Sequence, residues 1–408
     1  MKCRHCQAKL TLPMIDLSTA PASNAYLTDD ELHAPEKYFP LRVLVCTDCW
    51  LVQTEDYASA GELFSADYAY FSSFSTTWLK HAEQYVKDMT KRFSLCKSSH
   101  IVEVAANDGY LLQYAQTMGI PCLGIEPTTS TAVAAREKGI EIIEEFFGVK
   151  LAQEIKGHGK QADLMTANNV LAHVPDINDF IKGFTLLLKQ TGVATFEFPH
   201  LLRLVSEYQF DTIYHEHYSY LSLIAVKNIF ENNGLKVFDV EELSTHGGSL
   251  RVYAQRKDSG KYEESQNVQI MLEREIEAGM INTSFYSRLQ NKANKIKNDL
   301  IRFLIEAQEG GKKVVGYGAA AKGNTILNYA GIHSDLLPYV IDMNPAKQGK
   351  FLPGSRIPIF NESKLKSDKP DYVLILPWNL RDEITDQLKY IKEWGGEFVT
   401  VIPEMLIQ

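Results

Sequence analysis

At 408 residues, 45% hydrophobic and 23% charged, the chain has the composition of a globular protein long enough for two or three domains, which excludes disorder as its resting state. A formal net charge of -9 gives no general attraction to phosphate backbones or anionic lipid, so an anionic ligand must be held by a local site. The opening MKCRHCQAKL lacks the apolar core of a signal peptide and no apolar run is long enough to span a bilayer, so a cytoplasmic protein with neither a nucleic-acid nor a membrane partner is expected.

Cys3 and Cys6 form one CxxC pair, and Cys46 and Cys49 a second. In a reducing compartment such pairs indicate zinc, because thiolates two positions apart ligate one ion through a tight turn and four complete a closed tetrahedral shell. Two redox dithiols are the weaker alternative, since neither pair opens a helix after a buried strand. Residues 1–65 are therefore expected to be a structural zinc module with short strands such as 41–45. Cys96 and Cys122 are read as small buried apolar residues. The following FSADYAYFSSFS is dense in aromatics and hydroxyls, suited to a core edge or a pocket wall.

From His100, strand and helix patterns alternate through HIVEVA, YLLQYAQTMG, PCLGIEP, STAVAAREKG and onward to GVATFEFPH, which implies a parallel sheet covered by helices on both faces. SLIAVKNIFENNG reads as a helix ended by glycine, and the strand-like LKVFDVEEL and SLRVYAQR follow, joined through STHGG. A doubly wound sheet closed by an antiparallel hairpin resembles the layout of class I methyltransferases. In VEVAANDGYLLQYA a buried strand enters a turn and a helix at the sheet's carboxyl edge, where such sheets bind ligands. Glu126 ends the next strand about 20 residues later, a position from which an acid accepts both ribose hydroxyls of an adenosine. Asn107-Asp108-Gly109 replaces GxGxxG, and its acid disfavours a pyrophosphate but tolerates the sulfonium of S-adenosylmethionine. Glu103, Ala105, Asn107, Gly109, Glu126 and Asn169 are the candidates to hold it.

Residues 262–310 carry helical periodicity and read as a connector. A second βα series follows in VVGYGAAAKGNTILNYAG, LLPYVIDMNP, YVLILPW and EFVTVIPE. Gly316 and Gly318 would let backbone amides approach a diphosphate, Lys322 would add charge and Asp342 would grip a ribose. The unit suits a nicotinamide cofactor or a nucleotide-activated sugar, and the sugar is preferred because the first loop already has a cofactor. The plain alternative is a glycine turn that only packs.

YHEHYSYLS at 214–222 remains. On a strand, His215 and His217 would share a face, but a third metal ligand is missing. His215 alone fits a satisfied sheet-edge residue. His217, among Glu216, Tyr214, Tyr218 and Tyr220 and just after the FEFPH strand, fits a general base.

The paired CxxC, EVAANDGYLL, NNVLAHV, FEFPHL, YHEHYSYLS, HGGSLRVYA, GYGAAAKGNTILN and IDMNP, in this order, resemble the three-domain sugar C-methyltransferases of bacterial deoxysugar pathways. The resemblance implies an α/β chain of an N-terminal zinc-binding module (1–65), a class I methyltransferase Rossmann-like domain (66–260), and a helical connector with a C-terminal Rossmann-like nucleotide-sugar domain (261–408). It implies methyl transfer from S-adenosylmethionine to carbon 3 of a dTDP- or GDP-linked 4-keto-6-deoxy sugar, and it is compatible with a monomer. His217 would be the base and Tyr214, Glu216, His173 and Tyr68 its active-site companions. Donors such as Tyr214, His173 or Tyr68 would stabilise an enolate oxygen, and Glu216 would orient the imidazole or hold a sugar hydroxyl. Two competing readings are an NAD-dependent nucleotide-sugar oxidoreductase using Gly316 to Lys322, and a zinc-knuckle interaction protein.

Overall fold

The computed structural model describes residues 1–57, 71–259 and 261–408. Tyr68 and most of FSADYAYFSSFS lie outside the described residues. Within them the chain forms three sheets.

The largest has seven strands, in spatial order Ile142–Ile143, Cys122–Ile125, Ile101–Val104, Ala162–Asn168, Leu188–Pro199, Ser249–Arg256 and Leu235–Leu243. The first five run parallel and the last two are antiparallel, as the alternation and the terminal hairpin predict. Ile101–Val104 is buried at every position, the pattern of a strand covered on both faces. The helices around it begin where polar caps allow: Ser75, Asp176 and Ser222 each accept an orphan amide of the helix that follows. The IEIIEE run shrinks to two residues of strand, consistent with an edge position.

A six-stranded C-terminal sheet runs Ile359–Phe360, Val340–Ile341, Val314–Tyr317, Tyr372–Ile375, Glu397–Thr400 and Leu406–Ile407, parallel except for the last strand. The connector folds as helices Gln266–Glu277, Thr283–Tyr286 and Leu289–Glu309. The last buries Leu289, Ala293, Ile296, Leu300, Leu304 and Ala307 along one stripe at helical spacing. Glu275 ties the connector down: it bonds His200 Nε2 at 2.7 Å and accepts the amides of Leu223 and Ile224 at the start of helix Leu223–Asn232.

The third sheet is antiparallel, Leu12–Ala20, Phe39–Val45, Val52–Thr54 and Ser219–Tyr220, and its last strand comes from the HEH segment. Its Met14, Leu17 and Val43 share a core with the connector and the C-terminal sheet, while Cys3, Cys46 and Leu51 pack into the core of the seven-stranded sheet. The N-terminal residues thus join the two larger units. Cys96 and Cys122 depart from expectation. Cys96 is exposed in the turn after helix Thr76–Phe93, beside the Ser98 hydroxyl, and Cys122 is half-buried as the first residue of its strand. No helix among the described residues is long and apolar enough to cross a membrane.

Candidate active site

The four N-terminal thiols lie within 4.8 Å of one another. Sγ of Cys3 and Cys49 are 3.6 Å apart and those of Cys6 and Cys46 are 3.5 Å apart. Zinc–sulfur bonds of ~2.3 Å give a tetrahedron with edges of about 3.8 Å, so the set fits zinc. Each pair turns alike: Gln7 N–H reaches the Cys3 carbonyl and Trp50 N–H the Cys46 carbonyl, with Gln7 and Trp50 at φ 66° and 60°. Gln53 Nε2 donates to Cys3 Sγ at 3.3 Å. Four sulfurs close the shell, so the ion is structural.

The first βα loop is conformationally strained. Ala105, Asn107 and Gly109 have φ of 55°, 49° and 74°, and Asn169, after the neighbouring strand, has 57°. Left-handed non-glycine residues cost energy and cluster where a loop is shaped for a ligand. A Cβ on Gly109 would fall 2.4 Å from Ile140 Cδ1, so the helix entry packs closely. Glu126 holds the loop, accepting the Asn107 amide on one oxygen and the Thr128 amide on the other, both at 2.9 Å. Buried polar atoms are left over here: Oε2 of Glu103, Oδ1 of Asp108, Nδ2 of Asn168 and Oδ1 of Asn169 have no partner within the protein. Burial pushes the Glu103 carboxyl well up and the Glu126 carboxyl up. Two acids with an unpartnered oxygen, Glu103 and Asp108, and Glu126 beside them on a strained loop suit a cationic sulfonium ligand with a ribose, and S-adenosylmethionine fits this donor set.

Beside this loop stands an aromatic wall that sequence reasoning missed. Trp78 stacks on Tyr110 (5.9 Å) and His81 (4.8 Å) and meets His246 edge-on at 5.0 Å. His81 Nε2 bonds Glu197 at 2.8 Å, and Arg251 Nε bonds its other oxygen at 2.7 Å. Burial opposes ionisation of Glu197, but these bonds hold its carboxyl below the usual range. The i, i+3 spacing of Trp78 and His81 was visible; their partners lie more than thirty residues away.

Residues 214–218 of YHEHYSYLS form a turn, not the strand that a shared histidine face requires, and lie between the 3-10 turn Phe210–Thr212 and strand Ser219–Tyr220. The two imidazoles diverge: His215 Nε2 donates to the Pro40 carbonyl at 3.2 Å against the Phe39 ring, whereas His217 turns to Tyr214 and His173, with ring centroids 4.0 and 4.7 Å away. His217 Nδ1 lies 2.8 Å from the Thr212 carbonyl. A carbonyl only accepts, so Nδ1 carries the hydrogen and the lone pair is on Nε2. Burial, then the His173 ring, lowers the His217 pKa well below the ordinary value, which keeps the imidazole neutral.

The same reasoning alters two expected roles. His173 Nδ1 donates to the Glu216 carbonyl at 2.8 Å, and burial pushes its pKa down to about 4, so its Nε2 is an acceptor and not an oxyanion donor. The Glu216 carboxylate does not orient the imidazole; Oε1 accepts the Asn24 amide and side chain at 3.2 and 3.1 Å. Its buried Oε2 has no partner, and burial raises its pKa. His217, Tyr214, His173 and Glu216 come together; Tyr68 lies outside the described residues.

The second loop is packed shut. The amides of Gly316, Gly318 and Ala320 bond the carbonyls of Tyr339, Ile341 and Gly318, and that of Ala319 bonds Asp342 Oδ2. Asp342 Oδ1 accepts the Asn344 amide. A Cβ on Gly318 would fall 2.4 Å from Pro377, and one on Gly316 2.7 Å from Val340. Tyr26, from the N-terminal residues, donates to the Ala319 carbonyl at 2.6 Å. Packing therefore accounts for both glycines. Lys322, in the first turn of helix Ala321–Ala330, bonds Asn379 Oδ1 at 2.6 Å and sits 4.8 Å over the Trp378 ring. Its charge also opposes protonation of His217 and His246.

Three family models match the chain: a zinc binding domain over residues 3–64, a methyltransferase domain over 78–240 and a C-methyltransferase C-terminal domain over 244–403. The C-methyltransferase NovU of Streptomyces niveus is 32% identical over 403 residues, 99% of this chain and 96% of NovU. Solved structures similar to part of the chain include the magnesium protoporphyrin IX methyltransferase ChlM of Synechocystis PCC 6803 with bound SAM (16% identity, 44% of this chain and 79% of ChlM, TM-score 0.34). Another is the PH0226 protein of Pyrococcus horikoshii OT3 (12% identity, 50% of this chain and 100% of that one, TM-score 0.37). A closed cysteine cluster, a strained acid-lined loop on a seven-stranded sheet and a full-length match to NovU converge: the chain belongs to the three-domain, zinc-containing, S-adenosylmethionine-dependent C-methyltransferases.

Proposed function

We propose that the enzyme methylates a carbon beside the C-4 ketone of a nucleotide-linked 4-keto-6-deoxy sugar, C-3 by the family resemblance, with His217 as the base. The supporting observation is the His217 ring, which is buried and neutral, with its Nδ1 hydrogen spent on the Thr212 carbonyl and its lone pair therefore on Nε2. A saturated sugar carbon is no nucleophile, but a C–H beside a ketone is acidic because the carbanion delocalises onto oxygen. His217 Nε2 takes that proton. Tyr214, its ring tilted against that of His217, and the nearby charge of Lys322 meet the negative charge that grows on the oxygen. Tyr68 keeps its expected place in this set on the resemblance alone. Glu216 Oε2 and His173 Nε2 accept from sugar hydroxyls.

S-adenosylmethionine, when bound, supplies an electrophilic methyl on a positively charged sulfur. Glu126 holds the ribose, with Ala105, Asn107, Gly109 and Asn169 shaping the loop and the unpartnered Oε2 of Glu103 offering a hydrogen-bonding group. Residues 261–408 hold the nucleotide of the acceptor; because Gly316 and Gly318 pack against Val340 and Pro377, Lys322 and the first turn of its helix carry the diphosphate contact, and Asp342, which accepts two loop amides as Glu126 does, keeps its expected place at the ribose. A cytoplasmic setting fits the zinc thiolates and the unpaired Cys96 and Cys122.

The test is methyl-labelled S-adenosylmethionine with dTDP- and GDP-linked 4-keto-6-deoxy sugars. The expected product carries label on the sugar, at C-3 by NMR. Label at C-5, the other carbon flanking the ketone, would move the site but keep the base. A change in nicotinamide absorbance with no label transferred would overturn the reading in favour of an oxidoreductase.

A further inference from the structure

The turn that presents His217 is gripped from the far end of the chain. Helix Ala321–Ala330 packs across Phe210–Thr212: Thr325 Oγ1 donates to the Ile213 carbonyl at 2.9 Å in a buried contact, and the Tyr329 ring meets the Phe210 ring edge-on at 5.8 Å. Trp378, after the C-terminal strand Tyr372–Ile375, donates Nε1–H to Asp211 Oδ2 at 2.8 Å. Thr212 lies between these two anchored residues, and its carbonyl is the acceptor of His217 Nδ1 at 2.8 Å. Consecutive residues are thus committed in alternation: Asp211 and Ile213 to the C-terminal unit, Thr212 to the imidazole.

The turn has other restraints. Thr212 Oγ1 bonds the Gln209 carbonyl, Gln209 Nε2 bonds the Gly247 carbonyl of the hairpin turn, and the His217 backbone is held by its amide on the Tyr214 carbonyl and by Thr54 Oγ1 on its carbonyl. The last two fix the imidazole's end of the Nδ1–H bond, and the 211 and 213 anchors bear on the acceptor's end, the Thr212 carbonyl. A reacting group misplaced by about 1 Å loses on the order of 100-fold in rate.

We infer that Thr325 and Trp378 are positioning residues for the base: the C-terminal unit, besides the ligand it holds, aims His217 Nε2 through the 211–213 turn. This rests on the assignment of His217 as base. One consequence separates it from a purely structural role. Proton abstraction should weaken when either anchor is cut, while the affinity for S-adenosylmethionine, bound on the other sheet, is unchanged.

The experiment uses the full-length zinc-loaded enzyme with S-adenosylhomocysteine, so that no methyl transfer follows. It measures exchange of the hydrogens beside the ketone of dTDP-4-keto-6-deoxyglucose into deuterium oxide by NMR. Thr325→Val is expected to slow enzyme-catalysed exchange by ~10- to 100-fold with cofactor affinity and acceptor KM unchanged. Thr325→Ser, which keeps the hydroxyl, is expected to restore it. Trp378→Phe, which keeps a ring but loses the donor, is expected to slow exchange less. Wild-type exchange in folded Thr325→Val overturns the inference, and should that variant not fold, wild-type exchange in Trp378→Phe overturns it. Wild-type exchange in His217→Asn would instead overturn the base assignment itself, so the two failures are distinct.

Discussion

The two glycine-bearing loops at strand ends look alike in sequence and differ in how they spend their polar groups. In the loop after Ile101–Val104, Ala105 and Asn107 take left-handed conformations, and Glu103 and Asp108 keep buried oxygens without a partner. Backbone amides do not separate the two, since those of Ala106, Asn107 and Gly109 in the first loop and of Gly318, Ala319 and Ala320 in the loop after Val314–Tyr317 all have acceptors; what marks the second is that Tyr26 and Pro377 close over it. Left-handed non-glycine residues with unspent side-chain polarity mark a loop shaped for a ligand, and close packing over the loop marks a joint. The second loop is the joint by which the C-terminal unit meets the N-terminal residues, with Asn324 Nδ2 donating to the Ser23 carbonyl at 2.6 Å beside it.

Substitutions in the two loops test this contrast. Glu126→Gln should weaken S-adenosylmethionine binding by ~10- to 100-fold in calorimetry, since hydrogen bonds to a charged acceptor are worth roughly 1.5–3 kcal/mol. Asp342→Asn, its counterpart in the second loop, should leave that affinity unchanged; an equal loss would erase the distinction. Gly318→Ala, at φ 87° and facing Pro377 at 2.4 Å, should lower unfolding stability by about 2–3 kcal/mol without altering cofactor affinity. Gly109→Ala, at φ 74° but facing the flexible end of Ile140, should cost ~1–2 kcal/mol and should also weaken the cofactor. Denaturant melts with and without cofactor separate the two.

A pH-dependent effect lies where the second unit touches the first. Burial, partly offset by Lys322 and the Trp378 bond, raises the Asp211 pKa from 3.8 to about 6. The folded state then binds a proton that the unfolded chain has released, so this residue's contribution to stability falls as pH rises from about 4 to about 6. The shift amounts to at most about 3 kcal/mol. Asp211→Asn should flatten that part of the stability–pH curve, and an unchanged curve would mean that the carboxylate is not desolvated.

Much of the fold was legible because it is local. Alternating strand and helix patterns located the seven-stranded sheet, and the CxxC spacing located four thiols whose two pairs meet from positions forty or more residues apart. A strand was one reading weighed for the HEH segment, because period-two spacing of two histidines fits a strand as well as a tight turn, and the Tyr214–His217 backbone bond that makes the turn has no sequence signature. The second loop misled for a different reason: glycines needed for close approach of Pro377 and Val340 read the same as glycines needed for a diphosphate. Asn24, Thr325 and Trp378 were invisible because each acts over a sequence separation of more than one hundred residues.

The account stands on a neutral imidazole at residue 217. The most direct measurement is single-turnover methyl transfer by His217→Asn beside an equilibrium titration of the same protein with S-adenosylmethionine. The predicted result is wild-type cofactor affinity with turnover lower by orders of magnitude, in a protein whose melting temperature is close to that of the wild type. Near-normal turnover in that variant would contradict the account.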